Sequence, residues 1–168
     1  MILMKNVIFV LVFSALCISC STNKKEGTGE SFVQVIHKEQ DQRVDILIGD
    51  QAFTSYIYTD TIPDLKKSVL YPIYSAKGTL ITRGYPLDTR PRERTDHPHH
   101  IGLWLNYGDV NGIDFWGNSN AIPVERADQM GTIRHRQITE IKSGTEGGSL
   151  EITMNWINSQ KQVMLEET

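Results

Sequence analysis

Alternating apolar and polar residues run through most of the chain after Ser31 and predict β-strands. One alternating run covers Val44 to Ile48, a Gly49-Asp50-Gln51 turn follows, and a second run covers 52–58, which together make the pattern of a β-hairpin. Further strands are predicted over 32–36, 68–74, 78–84, 101–107, 131–142 and 149–157. Because no segment has a long apolar stripe of helical period, the pattern predicts an all-β fold, an antiparallel β-sandwich.

The pattern near the C-terminus is typical of a sheet that continues. A turn and a second apolar run over 162–168 follow the predicted strand 149–157, and nothing at Glu167 or Thr168 signals a stop. A sheet that ended there would leave an edge with unpaired N–H and C=O groups. We therefore expect an incomplete sandwich, in which residues 31–168 are the N-terminal part of a longer domain.

Composition narrows the classes of function. The chain is 39% hydrophobic and 22% charged, which is typical of one globular domain at a length of 168 residues. The net charge is −3 and no long basic run is present, so we expect no nucleic-acid partner. Both cysteines, Cys17 and Cys20, precede the predicted domain. Any metal ion in that domain would therefore need histidine and carboxylate ligands.

The N-terminal residues 1–19 have the pattern of a secretory signal peptide. Lys5 is the only charge, and the apolar stretch runs from Val7 to Cys17. That stretch is well short of the roughly 20 residues that a membrane-spanning helix needs. We therefore expect export across the inner membrane and removal of this segment.

The residues around the predicted cleavage point indicate a lipid anchor. Cys17-Ile-Ser-Cys20 resembles a bacterial lipobox, in which the cysteine at the cut becomes lipidated. Residues 20–30 then supply the lipidated Cys20 and a polar, glycine-bearing tether. We expect a protein anchored at the bacterial cell envelope, in the periplasm or at the outer membrane. The alternative is cleavage by an ordinary signal peptidase with no lipid attached.

Histidines dominate the segment with the most chemistry-bearing side chains. His97, His99 and His100 are nearly consecutive, and His135 follows later. Histidine binds metals and titrates near neutral pH, so this pattern favours acid–base catalysis or metal binding. We take His97, His99 and His135 as candidate catalytic residues, and we expect these three and His100 to line one cleft. The alternative for each histidine is structural packing. Pro98 indicates that the cluster sits where a loop enters the strand 101–107.

The polar residues around the histidines are of the types that bind sugars. Carboxylates and amides form hydrogen bonds with hydroxyl groups, while an indole ring stacks on the apolar face of a sugar ring. An arginine adds a fork that can hold a carboxylate or a phosphate. The alternative for the Asp and Asn residues is Asx-type turn structure. The candidate substrate-binding residues are Arg83, His100, Asn106, Tyr107, Asp109, Asn111, Asp114 and Trp116.

This segment also resembles a known family. The motifs that carry the resemblance are Asp96-His-Pro-His-His100, Gly102-Leu-Trp104, Asn106-Tyr-Gly-Asp-Val-Asn-Gly112 and Asp114-Phe-Trp116. Together they resemble the DUF6807-type family of secreted bacterial proteins, labelled PmoA-like or "methane oxygenase PmoA", over about residues 30–168. The label does not imply methane oxidation, because a true subunit of that enzyme is a polytopic membrane protein.

The family resemblance implies a fold and a chemistry. Such proteins look like galactose-mutarotase-like β-supersandwiches, whose other members bind or rearrange sugars in a cleft lined by His, Asp, Glu and Arg. A mutarotase-type site needs a general acid and a general base on opposite sides of the sugar ring. His99 or His135 is the candidate for one of these two roles, and we expect its partner, often a carboxylate, in the part of the domain beyond residue 168.

Three hypotheses for function follow. The first is a lipid-anchored protein that binds or processes carbohydrate, or another small polar ligand, without a cofactor. The second is an enzyme in which these histidines and a carboxylate hold a divalent metal ion. The third is a binding lipoprotein without catalytic activity.

The lipid anchor can be tested directly. Replacing Cys20 by Ser should release the full chain from the membrane fraction, because acyl chains stabilise membrane binding by about 0.8 kcal/mol per buried CH₂ group. Fractionation followed by immunoblotting measures this. Unchanged membrane partitioning of the Cys20→Ser protein would contradict the lipoprotein prediction.

Overall fold

The computed structural model describes residues 32–168, which form two antiparallel β-sheets. The first sheet contains, in spatial order, β1 (Val33–Lys38), β2 (Arg43–Ile48), β3 (Gln51–Ile57) and β4 (Val69–Leu70). The second contains β5 (Thr132–Lys142), β6 (Ser149–Ile157) and β7 (Val163–Glu167). Two short 3₁₀ helices cover Glu39–Asp41 and Val124–Gln129. The predicted all-β sandwich is confirmed.

The hairpins form where the alternating pattern predicts them. In the β2–β3 hairpin Ile48 lies opposite Gln51, and Gly49 adopts the left-handed φ of 61° that this tight turn requires. In the β5–β6 hairpin Lys142 lies opposite Ser149. Within residues 32–168 no helix is long and apolar enough to cross a membrane. The predicted signal peptide and Cys20 lie outside the described residues.

The two sheets pack against each other through an apolar core. Buried residues of the first sheet, Val35, Val44 and Tyr56, contact partly buried residues of the second, which are Ile138, Ile141, Leu150 and Ile152. At one rim the backbones also meet, because Val33 and Gly144 exchange two hydrogen bonds of 2.8 and 3.0 Å. Apolar contact and backbone pairing together hold the sheets face to face.

Three of the predicted strands are wrong or too long. Segment 78–84 has only an isolated bridge between Tyr74 and Leu80, and segment 101–107 has only one between Leu103 and Leu70. The predicted strand 68–74 is reduced to β4. Gly102 explains the second case, because its φ is +56° and a Cβ there would lie 2.3 Å from the Leu70 carbonyl oxygen. The backbone therefore turns at Gly102 instead of continuing as a strand.

Side chains satisfy part of the backbone in segment 78–84. The Thr82 carbonyl accepts a hydrogen bond of 3.1 Å from the Arg90 guanidinium, and the Glu93 carboxylate accepts the Gly84 N–H at 2.9 Å. These bonds replace the strand partners that the alternating pattern predicted. The polypeptide between β4 and β5 consequently consists mainly of loops. It contains every candidate site residue named from the sequence except His135 on β5 and the lipidation site Cys20.

A second buried cluster attaches these loops to the second sheet. The Phe115 ring packs 4.9 Å from the ring of Trp156 on β6 and is 1% exposed. Ile133 on β5 and Met154 on β6 complete the cluster. Gly131 leaves the space that the Phe115 ring fills, since a Cβ at Gly131 would lie 2.3 Å from that ring.

The tight contact at Gly131 yields a prediction about stability. A Gly131→Ala substitution should destabilise the fold by about 1–3 kcal/mol, because the new methyl group forces the Phe115 ring to move in a packed core. Gly108→Ala is the matched control, since its Cβ would meet only the Trp116 ring, at 3.9 Å. That variant should stay within about 0.5 kcal/mol of the parent. Chemical denaturation measures both, and equal stability of the two variants would contradict the packing argument.

Candidate functional site

Three of the predicted histidines and Trp116 form one aromatic surface, which we call the histidine–tryptophan cluster (His97, His99, His100 and Trp116). The His97 and His100 rings stack with centroids 4.9 Å apart and planes 16° apart. The His100 and Trp116 rings are also nearly parallel, at 6.1 Å and 13°. His99 meets His100 and Trp116 edge to face, at 4.4 and 5.9 Å. The structure therefore brings together side chains from two separate loops.

A tight turn shapes the histidine loop. The His100 N–H donates to the His97 carbonyl at 3.0 Å, and His97 adopts a left-handed φ of 51°. The Asp96 carboxylate lies 3.1 Å from His97 Nδ1, which orients the imidazole. Ile101 follows the turn and is buried against Val69 and its neighbours. The loop is thus fixed by the Asp96–His97 contact at one end and by apolar burial at the other.

Arg83 holds the backbone of this loop through two hydrogen bonds. Its Nη2 donates to the backbone carbonyls of Arg94 and Asp96, at 2.9 and 2.8 Å. The Arg83 guanidinium, predicted to hold a substrate carboxylate or phosphate, therefore binds the backbone of the protein itself. Arg83 and His100 line two neighbouring grooves, of about 470 and 280 Å³. The first groove also includes His97, and the second also includes Trp116.

Asp109 and Asp114 build turns, as the alternative interpretation allowed. Asp109 Oδ1 accepts the Gly112 N–H at 2.7 Å, and Asp114 Oδ1 accepts the N–H groups of Trp116 and Gly117, each at 2.8 Å. These are Asx-type hydrogen bonds. Asp114 still serves the site, because it fixes the backbone that carries the Trp116 ring.

Asn111 occupies a hairpin turn. Val110 and Ile113 exchange two backbone hydrogen bonds around Asn111 and Gly112, whose φ angles are 53° and 84°. Asn-Gly is the preferred pair for such a two-residue turn because both positions need a positive φ. This geometry accounts for Asn111 without a ligand.

The last two candidate binding residues precede this hairpin. Asn106 is half-buried and Tyr107 is 65% exposed. Neither lines the grooves beside the histidine–tryptophan cluster. The backbone carbonyl of Tyr107 accepts the Phe115 N–H at 3.2 Å, which ties the two ends of the hairpin loop together.

His135 lies elsewhere, so the expected single cleft for all the candidate histidines is wrong. Its Nδ1 is 3.1 Å from the Tyr56 hydroxyl, and its ring lies 4.2 Å from the Tyr58 ring. A separate groove of about 450 Å³ contains His135, Tyr58 and His37. The reason is that β5 presents His135 to the tyrosines at the end of β3, whereas the loop histidines pack on Trp116.

Lys67 is the residue that the sequence analysis missed. It is 6% exposed, and its Nζ donates to the carbonyls of Phe115 and Trp116, at 3.0 and 2.7 Å. The ammonium lies 4.8 Å from the centre of the Trp104 ring. Burial lowers the pKa of Lys67 to about 8, and the nearby charge of Asp114 opposes that shift. The only sequence signal is that Lys67 alternates with Leu65 and Val69, both of which are buried.

Burial keeps several histidines neutral at pH 7. It lowers the pKa of His99 and of His100, and neighbouring histidines add to the effect in both. Burial also lowers the pKa of His135, with a smaller effect from His37. A neutral imidazole has one donor and one acceptor nitrogen, which suits it to pairing with a hydroxyl group.

The second hypothesis for the histidines is metal coordination. Among residues 32–168, no group of three or more His, Cys, Asp or Glu side chains is arranged to hold a metal ion. The rings of His97, His99 and His100 stack or meet edge to face.

The histidine pKa values predict how stability depends on pH. Because the folded pKa values of His99, His100 and His135 lie below the ordinary value of about 6.5, the unfolded chain binds protons first as the pH falls. The free energy of unfolding should therefore decrease between pH 6.5 and 5, above the range in which carboxylates titrate. A His99→Gln variant should lose part of this slope in urea melts. A parent protein equally stable at pH 5 and 6.5 would contradict the burial argument.

Comparison with protein families places the chain in one of them. The model of DUF6807, described as a family of unknown function, matches residues 43–168. No curated protein and no solved structure matches the chain. The matched range contains β2 to β7 and both loops of the histidine–tryptophan cluster. The chain therefore belongs to the DUF6807 family.

Proposed function

We propose that this protein is a secreted, lipid-anchored member of its family that binds carbohydrate at the histidine–tryptophan cluster. The observation that supports this most directly is the parallel arrangement of the His100 and Trp116 rings beside two open grooves. Trp116 is 49% exposed although it is a large aromatic residue. An exposed aromatic face next to polar side chains is a common feature of binding surfaces.

The chemistry of the cluster matches the chemistry of a sugar. The C–H face of a sugar ring is apolar and stacks on the Trp116 indole, while the hydroxyl groups need neutral donors and acceptors. The half-buried imidazoles of His99 and His100 supply both, since burial favours their neutral forms. The fold adds rigidity, because Asp96 and Arg83 already hold the histidine loop in place.

Processing of the bound sugar belongs to the same proposal. His99 is the candidate general base, because it is neutral at pH 7 and within ring contact of Trp116. His97, whose Nδ1 lies 3.1 Å from the Asp96 carboxylate, is the second candidate group for proton transfer. His135 takes no part in this step, since it lines the separate groove with Tyr58.

We further propose that the sandwich is PmoA-like in the sense of a galactose-mutarotase-like supersandwich. Two facing antiparallel sheets and a site built on long connecting loops support this analogy. The analogy concerns the fold, and activity depends on the site residues themselves. Residues 20–30 would tether the domain to the cell envelope through lipidated Cys20.

A glycan array tests the proposed binding. The full chain should bind a subset of glycans, and Trp116→Ala should weaken that binding at least tenfold, or by about 1.4 kcal/mol, because the stacking face is lost. Val124→Ala is the control, since Val124 is an apolar residue that is 81% exposed on the Val124–Gln129 helix. This control should bind as the parent does.

Two results would contradict the proposal. One is a folded parent protein that binds no glycan on the array. The other is a Trp116→Ala protein that binds as tightly as the Val124→Ala protein, particularly if Tyr58→Ala abolishes binding instead. That second result would indicate that the ligand binds in the groove that contains His135 and Tyr58.

A further inference from the structure

The backbone of Trp116 is held at both ends by charged side chains. Its N–H donates to the Asp114 carboxylate at 2.8 Å, and its carbonyl accepts a hydrogen bond from the Lys67 ammonium at 2.7 Å. Asp114 belongs to the same turn as Trp116, whereas Lys67 comes from the segment that leads into β4. The position of the indole ring therefore depends on a side chain that is distant in sequence.

The surroundings of Lys67 are unusual for an ammonium group. Its acceptors are neutral carbonyl oxygens, and the face of the Trp104 indole covers it. Burying a charge in this way is costly, and an apolar side chain of similar length would fill the same space at lower cost. The ammonium donates its hydrogen bonds to the carbonyls of Phe115 and Trp116. The Phe115 side chain is buried in the core, whereas the Trp116 side chain forms the exposed face.

We propose that Lys67 is a positioning residue, which sets the distance and angle of the Trp116 ring against His100. It acts through the backbone of residues 115 and 116, and it does not touch a bound ligand. Phe115 is buried in the core of the second sheet, and Lys67 donates a hydrogen bond to its carbonyl as well as to that of Trp116, so the backbone of both residues is held in place. The importance of this positioning for ligand binding rests on the proposed function, whereas the positioning itself does not.

The charge of Lys67 adds a dependence on pH. Asp114 faces the ammonium from the Trp116 loop and favours its protonated form, whereas His99 and His100 come near it from the histidine loop. Asp64 and Lys66 lie beside it on its own segment and line the same small cavity. Loss of the proton leaves the two N–H donors that the two carbonyls need, but both hydrogen bonds lose their charge assistance and the Trp104 ring loses the cation over its face, so the hold on Trp116 weakens at alkaline pH.

Fluorine NMR of the full chain labelled with 5-fluorotryptophan tests this without any ligand. The chain has three tryptophans, so single Trp→Phe variants assign the three resonances. The Trp116 resonance of the parent should shift by more than its linewidth with a midpoint near pH 8, which is the pKa of Lys67. In Lys67→Met the Trp116 resonance should be displaced or broadened at pH 7 and should not titrate near pH 8.

Lys66→Met is the matched control, because it removes the same charge one residue away and should retain the parent titration. A Trp116 resonance that is unchanged in folded Lys67→Met would overturn the proposal. So would a Trp116 resonance in the parent that stays unmoved while the ¹³Cε signal of Lys67 titrates, and this second measurement needs no variant to fold. Neither outcome depends on the glycan array, so failure here is distinct from failure of the proposed function.

Discussion

The buried contact between Lys67 and the loop at Phe115 and Trp116 is the interaction on which the candidate site depends. Lys67 precedes β4 at the edge of the first sheet, while the Phe115 ring is part of the core of the second sheet. The hydrogen bonds of the ammonium therefore link the two sheets through one loop. A further bond, from the Ile133 N–H on β5 to the Lys66 carbonyl, runs alongside at 3.0 Å. Both sheets therefore contact the polypeptide that lies beneath the exposed aromatic face.

The polar residues around the cluster have two different roles, which the sequence alone does not distinguish. Some shape the loops, and others present exposed side chains. Asp109, Asp114 and Glu93 use their carboxylates on backbone N–H groups, so they shape loops. His99 and His100 have ring contacts and partly exposed side chains, so they stay available to a ligand in the proposed site. The exposed chemistry of the site is consequently aromatic and imidazole-based, and the carboxylates around it maintain its shape.

The sequence predicts local structure well and spatial neighbours poorly. The alternating pattern locates the β2–β3 and β5–β6 hairpins, because strand period and turn residues are local properties. It fails at 101–107, where the cause is the close approach of Gly102 to the Leu70 carbonyl, a contact between distant segments. The same limit applies to the site. The grouping of His97, His99 and His100 is visible in the sequence, but the separation of His135 and the role of Lys67 depend on how the two sheets pack.

We propose that carbohydrate binds on the face of the histidine–tryptophan cluster. Aromatic ¹H–¹³C NMR spectra of the full chain, recorded during titration with an oligosaccharide selected on a glycan array, test it most directly. The expected result is that the largest shift changes fall on Trp116, His99 and His100. Changes concentrated on Tyr58, His37 and His135, with the Trp116 signals unmoved, would contradict it.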